Sequence, residues 1–330
     1  MSSAPSTGDP TPARPGEVEH EPNIKASAIA AVARTRAQGM HYYGQILGIT
    51  PHPADGGPRR PRLTPDPSVT PGPVPPVALA AIADLAMGSA VRTVVGPGRR
   101  LGTVSMTLHH VAPVITAPVV PAAQVVWLDD EHRHALARVE CTDASGALVG
   151  AGQGWFMALP VPDGMDLRLL PWEVDEPAPA RPLTADDLEP QERAAVEATV
   201  RAGERARAHG TSVSEELTAL TWDTDTPECT ARGSLRIGPA LTNRVGHLQG
   251  GALYGIGLAA AARAVAATGT RLDPAEGSWQ FLRPGDGEHL TAEATVSRRG
   301  RGAAFASVTL TVDGRAVGAG QFAFRPRRAD

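Results

Sequence analysis

Hydrophobic and polar positions change period several times along the chain, and each change marks an element. Over residues 24–38 the apolar Ile29, Val32 and Ala33 share one face, with Arg34 and Arg36 off it, which predicts a short helix. Residues 77–91 are apolar on nearly every face except at Asp84. A helix of that kind is buried, and Pro75-Pro76 suit its first turn. The period then becomes that of strands at 101–112, 119–128, 134–142 and 147–159, with turn signals at Asp129-Asp130 and around Ser145-Gly146. One buried helix followed by four antiparallel strands predicts an α+β unit whose sheet wraps the helix.

The same programme then runs again. A strand pattern at 228–237 leads through a Gly-rich turn to a second apolar helix at 249–267, whose only charge is Arg263, and strands follow at 277–283, 290–297, 303–312 and 316–324. The final strands of the two series share Val-Gly-Ala-Gly-Gln, at 149–153 and at 317–321. Identical pentapeptides at the same place in the same element order predict two copies of one domain. The expected organisation is a disordered tail (1–23), an N-terminal repeat (24–160), a linker with a charged, Ala-rich helix (161–208), and a C-terminal repeat (209–327). Ten prolines between Pro51 and Pro76 predict a loop or extended insertion without a ladder. The second apolar helix approaches membrane-spanning length, but its Ala and Gly content is low in hydrophobicity, and the strands after it can cover it.

Composition narrows the function. With 330 residues, 42% hydrophobic and 20% charged, the chain has the profile of a globular protein with room for two cores. Its net charge of -4 argues against nucleic acid or an anionic membrane as a partner. Lys25 is the only lysine among 31 basic residues, so arginine is abundant by default and matters only by position. Cys141 and Cys229 are read as reduced thiols, and His109-His110 on a strand lack a third ligand for a metal. The N-terminus has no apolar signal core, and the expected location is the cytoplasm.

The candidate chemistry lies at the start of the second helix, Asn243-Arg-Val-Gly246-His247-Leu-Gln249-Gly250-Gly251. Two glycines there let a ligand approach backbone N–H groups that have no intrahelical partner, with the helix dipole behind them. Close packing of the helix on its sheet is the alternative use of such a pair. The spacing resembles the Asn-x-x-Gly-x-x-His-Gly-Gly motif of hotdog-fold acyl-CoA thioesterases of the phenylacetate-degradation type, with Phe281-Leu-Arg283-Pro284 matching a later strand. The motif histidine is Gln249 here, and the acid expected seven residues past Gly251 is Leu258.

The first helix has the opposite deficiency. Asp84 is its acid, while the Asn, His and Gly positions fall on Val69, Pro75, Pro76 and Val77. The resemblance implies a double hotdog with sites between its two domains. One composite site would then be complete (Asn243, Gln249, Gly250, Gly251 with Asp84) and the other dead (Val69, Pro75, Leu258). It further implies thioester hydrolysis, with Gly250, Gly251 and Gly246 at the acyl end and Asp84 as base or nucleophile. Asn243 and Gln249 would orient water or carbonyl through their amides. The family's helper hydroxyl position is Gly88, with Ser89 beside it, and Arg298, Arg299 and Arg301 are candidates for the phosphates. The expected partner is acyl-CoA or an acyl carrier protein, with coenzyme A only as part of the substrate, no metal, and a possible homodimer. A non-catalytic acyl-thioester-binding protein, or a hydratase or dehydratase on the same scaffold, are the alternatives.

Overall fold

The computed structural model describes residues 23–54, 57–161, 167–269 and 272–327. The tail predicted over 1–23 lies almost wholly outside them, as do the first residues of the predicted linker. Helix α1 (Ile24–Gln38) begins where the Asn23 side chain accepts from the Ala26 N–H and stops at Gly39, which turns into the left-handed region at φ 68°. A short α2 (Tyr42–Ile46) leads to strands β1 (Ile49–Ala54) and β2 (Gly57–Leu63).

These two strands correct the proline expectation. They form an antiparallel ladder in which Pro51 faces Pro61. The Leu63 N–H, two positions on, points outward and bonds Val119 O, so by the two-residue alternation Pro51 and Pro61 also sit where the N–H would face away from the ladder. Nothing is lost by removing a donor there.

Helix α3 (Pro76–Val95) is the first central helix, followed by β3 (Arg99–His110), β4 (Val120–Leu128), β5 (His134–Thr142) and β6 (Leu148–Pro160). Helix α4 (Pro190–His209) then packs on α1, α5 (Val213–Leu217) packs on α4, and β7 (Thr221–Trp222) and β8 (Thr230–Arg236) open the second unit. Helix α6 (Gly250–Ala266) is its centre, with β9 (Leu272–Phe281), β10 (His289–Arg299), β11 (Ala304–Val312) and β12 (Arg315–Pro326).

Among the described residues one ten-stranded sheet runs β4-β5-β6-β3-β9-β12-β11-β10-β8-β7, antiparallel throughout. The units join edge to edge through β3 and β9, with Thr107 opposite Ser278. Helix α3 lies against β3–β6 and α6 against β8–β12, so each helix is wrapped by its own half of the sheet. Large side chains such as Trp279, Phe156, Phe322 and Phe324 are fully buried there, each contributing roughly 1.5–3 kcal/mol.

The two helices also touch each other, and small residues make that possible. A β-carbon on Gly251 would stand 2.4 Å from Ala81 Cα, and one on Gly255 would stand 2.2 Å from Val77 Cγ2. The packing use of the glycine pair therefore holds for Gly251.

The predicted linker is more than a tether. Its segment 167–175 carries Leu170 and Trp172, both 6% exposed, down onto the C-terminal half of α3. Trp172 Nε1 donates to Ser89 Oγ at 2.8 Å, and Arg92 Nε lies 3.2 Å from Glu173 Oε2.

Candidate active site

Asp84 sits mid-way along α3 and is buried at 9% exposure. It faces the start of α6 in the other unit: a β-carbon on Gly250 would stand 2.9 Å from Asp84 Oδ2. The acid and the glycine, 166 positions apart in sequence, line one cavity of about 550 Å³ together with Asn243, His247, Gln249, Thr103, Gly88 and Phe281. Among the described residues neither the Gly250 nor the Gly251 N–H meets a protein acceptor, as expected for the first turn of a helix. A carboxylate thus stands beside the free Gly250 N–H and a positive helix end.

Burial pushes the Asp84 carboxyl up to about 6, and a hydrogen bond from Thr103 Oγ1 at 2.8 Å pulls it back down. At neutral pH it is ionised and basic enough to take a proton from water. The helper hydroxyl thus comes from strand β3 and not from α3. Val104 is an extra residue in the β3–β6 ladder, between the Thr103–Phe156 and Ser105–Trp155 pairs. A bulge of this kind re-aims the neighbouring side chain. Thr103→Val removes the bond that favours the ionised form, so the acidic limb of the kcat/KM–pH profile is expected to move above about 6. A limb that stays in place refutes the assignment.

Several residues expected at the site have other tasks. Asn243 Oδ1 accepts from the Val245 and His247 N–H groups, so its carbonyl holds the loop. Gln249 is the N-cap of α6, with Oε1 accepting from the Ala252 N–H at 2.8 Å. The amide oxygens of both are therefore engaged in local structure, and only their NH2 groups remain to orient a ligand. Gly246 is exposed, adopts φ 82° in the turn and is absent from the cavity wall, so it serves the turn and not the substrate. Ser89 borders the cavity, but its hydroxyl donates to Leu85 O and accepts from Trp172. It anchors the 167–175 segment.

The expected phosphate turn is also misplaced. Arg299 pairs with Ala304, Ala304 with Phe324 and Phe324 with Pro274, whereas Phe281 of the cavity lies seven residues further along β9. At about 3.3 Å per residue that is roughly 23 Å. Arg298, Arg299 and Arg301 therefore sit at the opposite end of the sheet. The arginines that border the cavity are Arg92, Arg100, Arg244 and Arg283. His109 and His110 divide as strand alternation requires: His109 is exposed beside Glu276, and His110 is buried against Tyr254.

The corresponding place between α6 and the start of α3 has no acid, hydroxyl or capping side chain among the described residues. Pro274 opposes Phe324 beside a one-residue bulge at Ala275, the position Thr103 holds opposite Phe156. Leu258 stands on α6 as a buried apolar residue, and α3 opens with Pro75 as its cap and no side-chain capping bond.

Residues 239–325 match the family model of the acyl-CoA thioesterase N-terminal domain. That span contains Asn243, Gly250 and Phe281 but neither Asp84 nor Thr103. A tesB protein of Mycobacterium avium subs paratuberculosis is 16% identical, with 86% of this chain and 99% of that one covered at a TM-score of 0.51. A hot dog fold protein of unknown function from Alicyclobacillus acidocaldarius is 12% identical, with 88% and 99% covered and the same TM-score. No curated protein sequence matches the chain. The architecture is the hotdog fold.

Proposed function

We propose that the chain hydrolyses an acyl-CoA thioester at one composite site between its two hotdog units. The observation that carries this reading is the Asp84 carboxylate set against Gly250 at the N-terminus of α6. The family match over residues 239–325 supports the acyl-CoA thioesterase chemistry. Kinship with the phenylacetate-degradation branch, and duplication of one ancestral domain, belong to the same proposal.

The thioester oxygen sits on the Gly250 N–H group, where the negative charge of the tetrahedral intermediate is stabilised. One such donor is worth about 3–4 kcal/mol in comparable sites. Asp84, held through Oδ1 by Thr103, accepts a proton from water through Oδ2 as the water oxygen bonds the acyl carbon. Collapse then breaks the C–S bond, and the proton passes from Asp84 to the departing thiolate. The solvent-exposed Arg283 suits the strongly hydrated phosphates of the CoA end.

The test is thiol release from a series of acyl-CoA esters by the full chain. Turnover of at least one ester is expected. Stable binding of acyl-CoA with no release of thiol would make the protein an acyl-thioester-binding module instead.

A further inference from the structure

The end of the cavity away from Arg283 is unusually cationic for a place that receives an acyl group. Asp84, Gly88 and Arg92 follow one another at four-residue spacing on one face of α3, so Arg92 lies two turns, roughly 12 Å, beyond the acid. Arg92 is 6% exposed. Its Nη2 donates to Leu167 O; the side chain borders both this cavity and the neighbouring one, and Glu173 beside it borders only the neighbour. Arg244 faces the same space, held through Nη1 by Gly39 O and Arg168 O.

Among the described residues, Glu173 is the carboxylate whose charge acts on both guanidiniums, and burial together with the Arg92 charge lowers the Arg244 pKa. His41, also in the wall, takes the Gly44 N–H on Nδ1, which leaves the proton of the neutral ring on Nε2. Among the described residues, Arg92, Arg244 and Glu173 thus leave one positive charge in excess at this end. An unbalanced buried cation is costly, and one anionic partner would complete the group.

We propose that the preferred acyl group ends in a carboxylate, which Arg244 and Arg92 bind at the inner end of the cavity. This rests on the thioesterase reading for its orientation: the phosphates remain at the exposed Arg283, and the acyl chain runs over Gly88 towards Arg92. The absence of a β-carbon at Gly88 keeps that path open. The span between Asp84 and a guanidinium reaching back from Arg92 fits a short linear chain, so the substrate class is an ω-carboxyacyl thioester of about six carbons.

The experiment compares adipoyl-CoA with hexanoyl-CoA, which differ only at the far end. Wild type, Arg244→Gln and Arg244→Lys are measured for kcat/KM, and Asp84→Asn for the Kd of both esters by calorimetry. Wild type is expected to prefer adipoyl-CoA about tenfold or more, the worth of a charge-assisted hydrogen bond. Arg244→Gln should bring the ratio towards one, and Arg244→Lys should keep part of it. A wild-type ratio of one or below overturns the proposal. So does an equal loss on both esters in Arg244→Gln, which would assign the arginine to the CoA phosphates. If wild type turns over neither ester, the calorimetric ratio on Asp84→Asn still decides this inference, while the thioesterase reading is decided by the wider ester series. If Arg244→Gln does not fold, the wild-type ratio decides it.

Discussion

Asp84→Asn is expected to lower kcat for thiol release by about 10²–10⁴-fold, the usual worth of a general base, and at the same time to stabilise the fold. The two effects have one cause. The carboxyl titrates at about 6 in the folded chain, mainly because it is buried, against 3.8 for the ordinary group. Its folded pKa is raised, so the folded state holds the proton more tightly between those values, and stability falls as pH rises through that window. At pH 7 the whole penalty is present, about 3 kcal/mol for two units at 1.36 kcal/mol each. Asparagine carries no such charge. Denaturant unfolding should therefore show Asp84→Asn more stable than wild type at pH 7 and equal to it near pH 3. A variant that is fully active, or less stable at pH 7, would remove Asp84 from the site. Leu258→Ala, at the symmetry-related position, tests which interface works: loss of activity there, with Asp84→Asn active, would place the chemistry at the wrong end.

Much of this arrangement was legible in sequence because of how each signal arises. The helices and strands of both units follow from burial on one face or on all faces, and they appear within a few residues of their predicted limits. The pairing of Asp84 with Gly250 was legible because each half lacks what the other keeps. Thr103 was not: within a strand of mixed polarity its orientation depends on the bulge at Val104, and a one-residue insertion reverses alternation without leaving a sequence signal. The arginine turn failed for a related reason. A cluster of charge shows that a turn is solvated, while only the ladder register tells which end of the sheet it occupies. Residues 167–175 looked like linker from their surroundings, since Trp172 and Glu173 acquire partners only through Ser89 and Arg92, more than 75 positions earlier in the chain. Helices α2 and α5 are five residues each, too short for periodicity to register.

The second large effect separates the two neighbouring glycines. Gly250→Ala should lower kcat/KM by about 10²–10³-fold, comparable to the loss of an oxyanion donor, with stability changed by less than about 1 kcal/mol. Its β-carbon would meet Asp84 Oδ2, the end of a side chain, and would fill the space where the acyl carbon must lie between acid and N–H. Gly251→Ala should behave differently although the chemistry of the change is identical. Its β-carbon would stand 2.4 Å from the Cα and 2.8 Å from the N of Ala81. These are backbone atoms of α3, and they can yield only if the whole helix moves. Overpacking of this kind costs about 1–3 kcal/mol, against a gain in helix propensity of at most about 1. A lower unfolding midpoint is thus expected for Gly251→Ala and a nearly unchanged one for Gly250→Ala. Because α3 carries Asp84, the displacement in Gly251→Ala also separates acid from donor, so its folded fraction should lose activity as well. If Gly250→Ala turns over acyl-CoA as wild type does, the N-terminus of α6 is only a packing device, and the thioester oxygen must find its donors elsewhere.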